Sequence, residues 1–107
     1  MIEREMLKGV LKILVLKLID SEDLYGYALV KKLNQWTDGE IAIKEGTLYP
    51  ILHNFEQSQD IKGYWKESDT GRKRKYYQIT KQGEHTLIEL TKKWRNLETA
   101  TNKVLGG

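Results

Sequence analysis

The last quarter of the chain carries a repeat that restricts how the protein can fold. Between residues 81 and 104 a stripe of side chains recurs at alternating intervals of three and four, at Leu87, Leu90, Trp94, Leu97, Thr101 and Val104. A narrow heptad stripe is typical of a seam between two helices, whereas a helix on a globular core shows a broader apolar face. The sequence therefore predicts a long C-terminal helix that pairs with another helix, and we assign these six residues to a dimer interface.

Three shorter helices are predicted before this element, over residues 3–19, 24–35 and 45–57, from apolar side chains at helical spacing. The first is apolar over more than half of its circumference, which predicts burial on two sides. We assign its second side to a partner subunit and add Leu7 and Leu11 to the interface. Residues 20–23 offer N-cap candidates for the second helix, and residues 40–43 are interpreted as a short strand.

A hairpin is predicted between the third helix and the last one. Residues 61–68 and 75–79 are rich in aromatic and β-branched side chains, and a glycine-containing loop separates them. Thr80 is expected to cap the final helix. This order predicts a mainly helical α+β fold, namely a winged helix-turn-helix over residues 1–80 followed by a dimerisation helix over residues 81–107, together forming one compact domain.

The net charge of +3 is unevenly distributed along the chain. Residues 1–60 carry 7 basic and 10 acidic side chains, whereas residues 61–80 carry 6 basic and 2 acidic ones. Four of these cations are consecutive: Arg72, Lys73, Arg74 and Lys75. A localised basic cluster predicts an anionic partner, with nucleic acid the first candidate. Because side chains alternate along a strand, only some of the four are expected to contact any one partner.

The composition argues against catalysis. The 107 residues suit one domain, and the absence of cysteine excludes disulfides and thiolate metal sites. The two histidines, His53 and His85, have no carboxylate at metal-ligand spacing, and there is no glycine-rich phosphate loop. The chain has neither a long apolar run nor a cationic signal sequence. We therefore expect a cytoplasmic protein that is not an enzyme, binds no cofactor or metal and has no membrane partner.

Two groups of side chains could accompany the basic hairpin in contacting double-stranded DNA. On the third helix, the side opposite the core carries Thr47, Tyr49, Pro50 and His53, whose types suit base edges, phosphates and thymine methyl groups. At the start of the second helix, Tyr25 and Tyr27 could hold a phosphate together with backbone N–H groups. A packing role for Tyr25 and Tyr49 stays open. Pro50 is also expected to distort its helix locally.

Trp94 allows two interpretations. In a symmetric dimer, two bulky indoles could hold the helices apart and leave a gap that sandwiches a flat apolar ligand. Alternatively, Trp94 simply packs in the interface between the two subunits. The spacing of the stripe does not choose between them.

Three motifs match one family, in order and spacing. They are Leu24-Tyr25-Gly26-Tyr27, the run Glu45-Gly46-Thr47-Leu48-Tyr49-Pro50, and the hairpin from Tyr64-Trp65 through Gly71-Arg72-Lys73-Arg74-Lys75-Tyr76-Tyr77 to Thr80. In these motifs the chain resembles the PadR-type transcriptional regulators, in particular the small LmrR-like subgroup of multidrug-sensing repressors. The resemblance implies a winged-helix repressor that binds palindromic operator DNA as a homodimer.

The resemblance also implies an effector, a small aromatic or cationic amphipathic compound. Trp94 matches a tryptophan that, in LmrR-like members, lines a pore at the dimer centre and stacks on drugs. Residues expected near this pore are Met6, Val10, Ile13, Leu14, Leu97 and Glu98. A second hypothesis stays open, in which a winged-helix dimer binds ligands or proteins without recognising specific DNA.

The chain departs from the family pattern at three places. It has Glu22-Asp23 where the family often has Gly-Pro, and His53-Asn54 where the third helix usually carries a basic residue. The usual glycine after the third helix is also missing from Ser58-Gln59-Asp60-Ile61. A residue other than glycine, and most simply Gln59, is then expected to adopt the left-handed conformation that ends the helix.

Overall fold

A computed structural model describes residues 2–106 of the chain. They form five helices and one antiparallel sheet of three strands, in which β3 lies between β1 and β2. The elements, in chain order, are α1 (Arg4–Leu7), α2 (Leu11–Ser21), β1 (Leu24–Tyr25), α3 (Gly26–Trp36), α4 (Glu45–Gln57), β2 (Ile61–Glu67), β3 (Lys73–Ile79) and α5 (Lys81–Leu105). The mainly helical α+β winged-helix fold predicted from the sequence is confirmed.

The predicted first helix is divided in two. A turn around Gly9 separates α1 from α2, and the N–H of Val10 bonds to the carbonyl of Leu7 at 3.0 Å. Glycine weakens a helix because it loses more backbone freedom on folding than any other residue. The longer part, α2, lies at the centre of the protein, where it packs against α3, α5 and β3 and buries Leu16 and Ile19 completely or nearly so.

Three expectations about the second helix and the segment after it were wrong. Helix α3 begins at Gly26, two residues late, because Leu24 and Tyr25 pair with Tyr77 and Tyr76 as strand β1. Its N-cap is Tyr25, which makes no side-chain capping bond, so none of residues 20–23 caps the helix. Residues 40–43 form no strand, and Ile41 is buried instead in the core.

Helix α4 has the predicted bounds and continues through Pro50 without a break. Its buried side chains are Leu48, Leu52 and Phe55. Gln59 has a φ of 67°, so the prediction that a residue other than glycine takes the left-handed conformation at this exit is confirmed. The turn that follows leads directly into β2 and places the hairpin next to α4.

The second strand of the hairpin is longer than predicted. Strand β3 begins at Lys73, so three of the four consecutive cations belong to the strand and only Arg72 lies in the loop. Strand β2 pairs with β3 over its whole length, from Ile61 opposite Ile79 to Glu67 opposite Lys73. Residues directly opposite each other in an antiparallel pair point to the same face, so this register fixes which cations face α4.

Helix α5 starts at Thr80, whose hydroxyl accepts a hydrogen bond from the N–H of Gly83 at 2.9 Å, as predicted. Its first turns pack on α2 and β3, whereas its second half leaves the body of the protein. Leu97 and Val104 are 60% and 87% exposed. Exposed apolar side chains in a row at the end of a long helix are typical of a surface that contacts another helix.

Three residues assigned to the dimer interface lie in the core of the same chain. Leu7, Leu11 and Leu87 are only 6%, 5% and 7% exposed, and they share one hydrophobic cluster with α2 and α4. Side chains so covered have little surface left for a partner. The correction has a simple cause, because helical periodicity shows that a side chain is apolar but not which neighbour covers it.

Candidate nucleic-acid interface

A cleft of about 620 Å³ lies between the starts of α3 and α4 and the hairpin. We call it the wing cleft. It brings together most of the side chains predicted to bind DNA, although they come from three separate parts of the sequence. Its lining consists of Tyr25, Gly26, Tyr27, Glu45, Tyr49, Trp65, Arg72, Lys73, Arg74, Lys75 and Tyr77.

The floor of the wing cleft is the first turn of α3. Because Tyr25 caps this helix without a side-chain bond, the first N–H groups of α3 are not capped by a side chain. Such N–H groups, together with the helix dipole, form a binding place for a phosphate. A Cβ atom on Gly26 would lie 2.9 Å from the Tyr49 hydroxyl, so glycine lets α4 approach α3 here.

The outer surface of α4 presents Tyr49, Pro50 and His53, all of which are exposed. Tyr49 lines the wing cleft, and the other two lie on the adjoining free side of the helix. Thr47 is placed differently, because it lies half-buried on the other flank of α4. There it lines a separate groove with Ile43, Ile51 and residues of α1. We had expected Thr47 to lie on the same surface as Tyr49, and this expectation was wrong.

The four consecutive cations have different surroundings. The guanidinium carbon of Arg74 lies 4.5 Å from the ring centroid of Tyr25, in a cation–π contact on one face of the sheet. On the other face, the Nζ of Lys75 is 3.0 Å from Oε1 of Glu56, which partly neutralises its charge. Arg72 and Lys73 are exposed, with no ion pair in the described part of the chain. The expected division of the cations between two faces is thus observed.

The sequence interpretation missed Trp65 as a residue of the site. Trp65 lies directly opposite Lys75 in the sheet, lines the wing cleft and is 67% exposed. An indole this exposed beside several cations is unusual in a small protein, since aromatic side chains usually help to form the core. The alternation of β2 carried a signal, because Trp65 shares its face of the strand with Gly63 and Glu67, neither of which offers the apolar neighbour that a core tryptophan needs.

A hydrogen bond also links the hairpin to the loop before α3, and the sequence did not predict it. The Tyr64 hydroxyl donates to Oδ2 of Asp23 at 2.6 Å. This bond to a carboxylate, together with partial burial, raises the pKa of Tyr64 to about 12. Burial likewise raises the pKa of Tyr77, whose ring packs against the core.

A second concave surface, the α2–α5 groove, surrounds Trp94. It has a volume of about 720 Å³, and its apolar lining includes Val10, Ile13, Leu14 and Leu87. Five charged side chains stand at its edges: Lys17, Asp20, Glu84, Lys92 and Arg95. Of the residues expected around Trp94, the single chain assembles those of α2 and its N-cap, whereas Met6, Leu97 and Glu98 lie outside this lining.

Within residues 2–106, no group of three or more acidic or histidine side chains could hold a metal ion. Over the same residues, no helix has both the length and the apolar character needed to cross a bilayer.

Comparisons with known proteins agree on one family. The sequence model described as the transcriptional regulator PadR-like family matches residues 15–89. The crystal structure of a PadR-like transcriptional regulator from Bacillus cereus strain ATCC 14579 is 41% identical, with a TM-score of 0.82 over 96% of this chain and 98% of that one. A transcriptional regulator from Clostridium thermocellum is 30% identical, with a TM-score of 0.86 over 96% and 97%. An uncharacterised protein of Lysinibacillus sphaericus is 33% identical over 100% of this chain and 98% of its own.

Proposed function

The chain belongs to the PadR-like family of transcriptional regulators, and from this premise we propose that it is a repressor that binds palindromic operator DNA as a homodimer. The family and the two solved structures named above are transcriptional regulators rather than enzymes, in agreement with the prediction from the sequence. One observation carries the proposal: the wing cleft combines a helix N-terminus, exposed aromatic side chains and a row of cations. The relatives named above are bacterial, so we also propose a cytoplasmic location.

In the proposed complex, α4 enters the major groove with Tyr49, Pro50 and His53. The first turn of α3, with Tyr25 and Tyr27, holds the backbone phosphate at the edge of that groove. Arg72 and Lys73 at the tip of the hairpin follow the next stretch of the backbone or reach into the minor groove. Since α4 carries no arginine, bidentate reading of guanine from this helix is not part of the proposal.

The second half of α5 supports the proposed homodimer. Leu97, Thr101 and Val104 continue the stripe beyond the body of the protein, where they are exposed. Pairing with a second copy would cover them and would hold two wing clefts at a fixed separation. On B-form DNA, that separation must match half-sites one helical turn apart, about 34–36 Å, or a multiple of it.

The α2–α5 groove supports a binding site for an effector, of the aromatic or cationic amphipathic class found in the LmrR-like subgroup. Trp94 offers an aromatic face on which a flat ring or a cation can stack. A ligand held between two such grooves would change the angle between the winged domains. The half-site separation would then no longer match the DNA, and repression would be released. The ligand can shift this equilibrium only as far as its affinities for the two geometries differ.

The test of DNA binding begins with duplexes enriched by the wild-type protein from a random-sequence pool. We expect affinity for the enriched duplex to fall steeply as salt rises. The double variant Arg72→Ala/Lys73→Ala should reduce the slope of log K against log salt by about 2, because each lost phosphate contact contributes about 0.9. Lys103→Ala, which removes an exposed cation near the end of α5, serves as the matched control.

Two results would contradict the proposal. An unchanged salt slope in the double variant would mean that the tip of the hairpin does not contact the backbone. Failure to enrich any duplex, with a folded dimer present, would favour the alternative function as an adaptor that binds ligands or proteins only.

The effector site is tested separately, by titration with a planar cationic dye while tryptophan fluorescence is recorded. The variant Trp36→Phe/Trp65→Phe leaves Trp94 as the single tryptophan, and its emission should be quenched as the dye binds. The Trp94→Ala variant should bind the same dye about fivefold to thirtyfold more weakly, since stacking on an indole contributes about 1–2 kcal/mol. Equal affinity in both proteins would remove Trp94 from the effector site.

A further inference from the structure

We propose that Asp23 and Tyr64 form a clamp across the sheet that holds Arg74 in position for DNA, an inference that rests on the proposed function. We call this pair the sheet clamp. It involves the same loop in which the chain departs from the usual family pattern, since Glu22-Asp23 stands where Gly-Pro is common. From the sequence, Asp23 was only one of the N-cap candidates for the second helix, and Tyr64 was given no role in a site.

The clamp joins the two edges of the sheet. Tyr64 belongs to the edge strand β2, and Asp23 immediately precedes the other edge strand, β1. The 2.6 Å hydrogen bond between them therefore passes over the middle strand, β3. Strand β1 contains only two residues, and such a short strand has few ladder bonds of its own to hold it. A charged acceptor makes a stronger bond than a neutral one, which suits this function.

A row of aromatic rings connects the clamp to Arg74. The Tyr64 ring stacks on Tyr76 with centroids 5.8 Å apart, and Tyr76 meets the edge of Tyr25 at 5.3 Å. Arg74 lies over the outer ring of this row, that of Tyr25. Each ring restricts its neighbour, so the position of the guanidinium depends on contacts that extend back to the Asp23 carboxylate.

The function of this arrangement follows from where Arg74 lies. Tyr25 is the N-cap of α3, so a guanidinium stacked on its ring stands beside the proposed phosphate site. A free arginine loses about 2 kcal/mol of side-chain freedom when it binds, whereas one already stacked loses less. The clamp thus contributes to DNA affinity without touching DNA, and Asp23 and Tyr64 are positioning residues.

A simpler explanation of Asp23 predicts the opposite effect of Asp23→Asn on DNA affinity. If Asp23 acted only as a negative charge near the phosphates, Asp23→Asn would tighten DNA binding by removing repulsion. If Asp23 holds the clamp, the same substitution weakens binding, because a neutral amide is a poorer acceptor than a carboxylate. The sign of this one change therefore separates the two.

The experiment measures affinity for the enriched duplex with Asp23→Asn, Tyr64→Phe and the double variant, each checked for thermal stability. We expect each single variant to bind roughly threefold to tenfold more weakly, and the double variant no more weakly than the worse single one. Tyr76→Phe is the matched control, because it removes a hydroxyl from the neighbouring ring and keeps the stack. It should change affinity by less than about twofold. Tighter binding by Asp23→Asn, or additive losses in the double variant, would overturn the clamp.

Two further measurements connect the clamp to Arg74. In an Arg74→Ala background, Tyr64→Phe should no longer affect affinity, and a full remaining effect would refute the connection. In the free protein, the Arg74 Nε–H resonance should carry a ring-current shift from Tyr25 that shrinks in Tyr64→Phe but not in Tyr76→Phe. This readout needs no DNA. If the shift shrinks in Tyr64→Phe but the protein binds no duplex, the proposed function fails and the clamp stands. If the resonance is unchanged, the clamp is rejected even when DNA binding is intact.

Discussion

Adding a single methyl group at Gly83 tests how α5 is attached to the winged helix. Gly83 is buried in the first turn of α5, against the turn that ends α4. A Cβ atom there would overlap the carbonyl oxygen of Asp60 and would lie 2.8 Å from Cγ1 of Ile79. Because the main obstacle is backbone rather than a flexible side chain, either the turn or the helix must move.

The magnitude follows from three contributions. Replacing glycine by alanine in a helix stabilises it by up to about 1 kcal/mol. Overpacking a close contact costs about 1–3 kcal/mol. A shift of α5 also weakens the hydrogen bonds that Thr86 and Gln82 donate to Oδ1 of Asp60, at 2.6 and 3.3 Å. Bonds to a charged acceptor contribute about 1.5–3 kcal/mol each. A net loss of about 2–4 kcal/mol results.

Thermal unfolding at one fixed protein concentration measures this loss, since the Tm of a dimer depends on concentration. At about 4 °C per kcal/mol, Gly83→Ala should lower Tm by at least about 8 °C. Gly46→Ala is the matched control, because a Cβ atom at Gly46 of α4 meets nothing within 4 Å, and it should raise Tm slightly. Equal Tm values for the wild type and Gly83→Ala would refute the reasoning, as would equal responses of the two glycines.

Three other predictions concern charge. Burial alone would raise the pKa of Asp60, but the hydrogen bonds from Ser58, Thr86 and Gln82 together outweigh it, so the pKa is lowered. The ionised Asp60 carboxylate therefore stabilises the fold fully above the ordinary pKa of a carboxyl group, and this stabilisation is lost as pH falls through the lower pKa of the folded state. Acid unfolding, followed by circular dichroism, should therefore depend less on pH in an Asp60→Asn variant. In an ultraviolet titration Tyr64 should ionise near pH 12, with the clamp bond intact below about pH 10 and lost as pH rises through about 12. An Asp23→Asn variant that leaves this ionisation of Tyr64 unmoved would contradict the assignment. Glu56→Gln should release Lys75 and steepen the salt dependence of DNA binding by about 0.9, whereas an unchanged slope would mean that Lys75 lies beyond the reach of a phosphate.

The order of the elements and the position of the main charges could be predicted from the sequence alone. Helical periodicity predicted α4 with its observed ends, and the missing glycine predicted the left-handed Gln59. Both features are local, because spacing within a helix and the backbone demands of one turn depend on adjacent residues. The basic cluster was likewise visible as a run of charges, before its side chains could be placed.

Which neighbour each side chain contacts depends on long-range contacts and became clear only from the fold. Strand β1 exists because residues 24 and 25 pair with β3, about fifty positions later in the sequence. Lys75 forms an ion pair with Glu56, and the Tyr64 hydroxyl donates a hydrogen bond to Asp23, although nothing in the local sequence links either pair. Leu7 and Leu11, apolar like Leu97, lie in the core of their own chain rather than on the surface. Periodicity shows that one side of an element must be covered, but the covering partner depends on contacts between residues that only folding brings together.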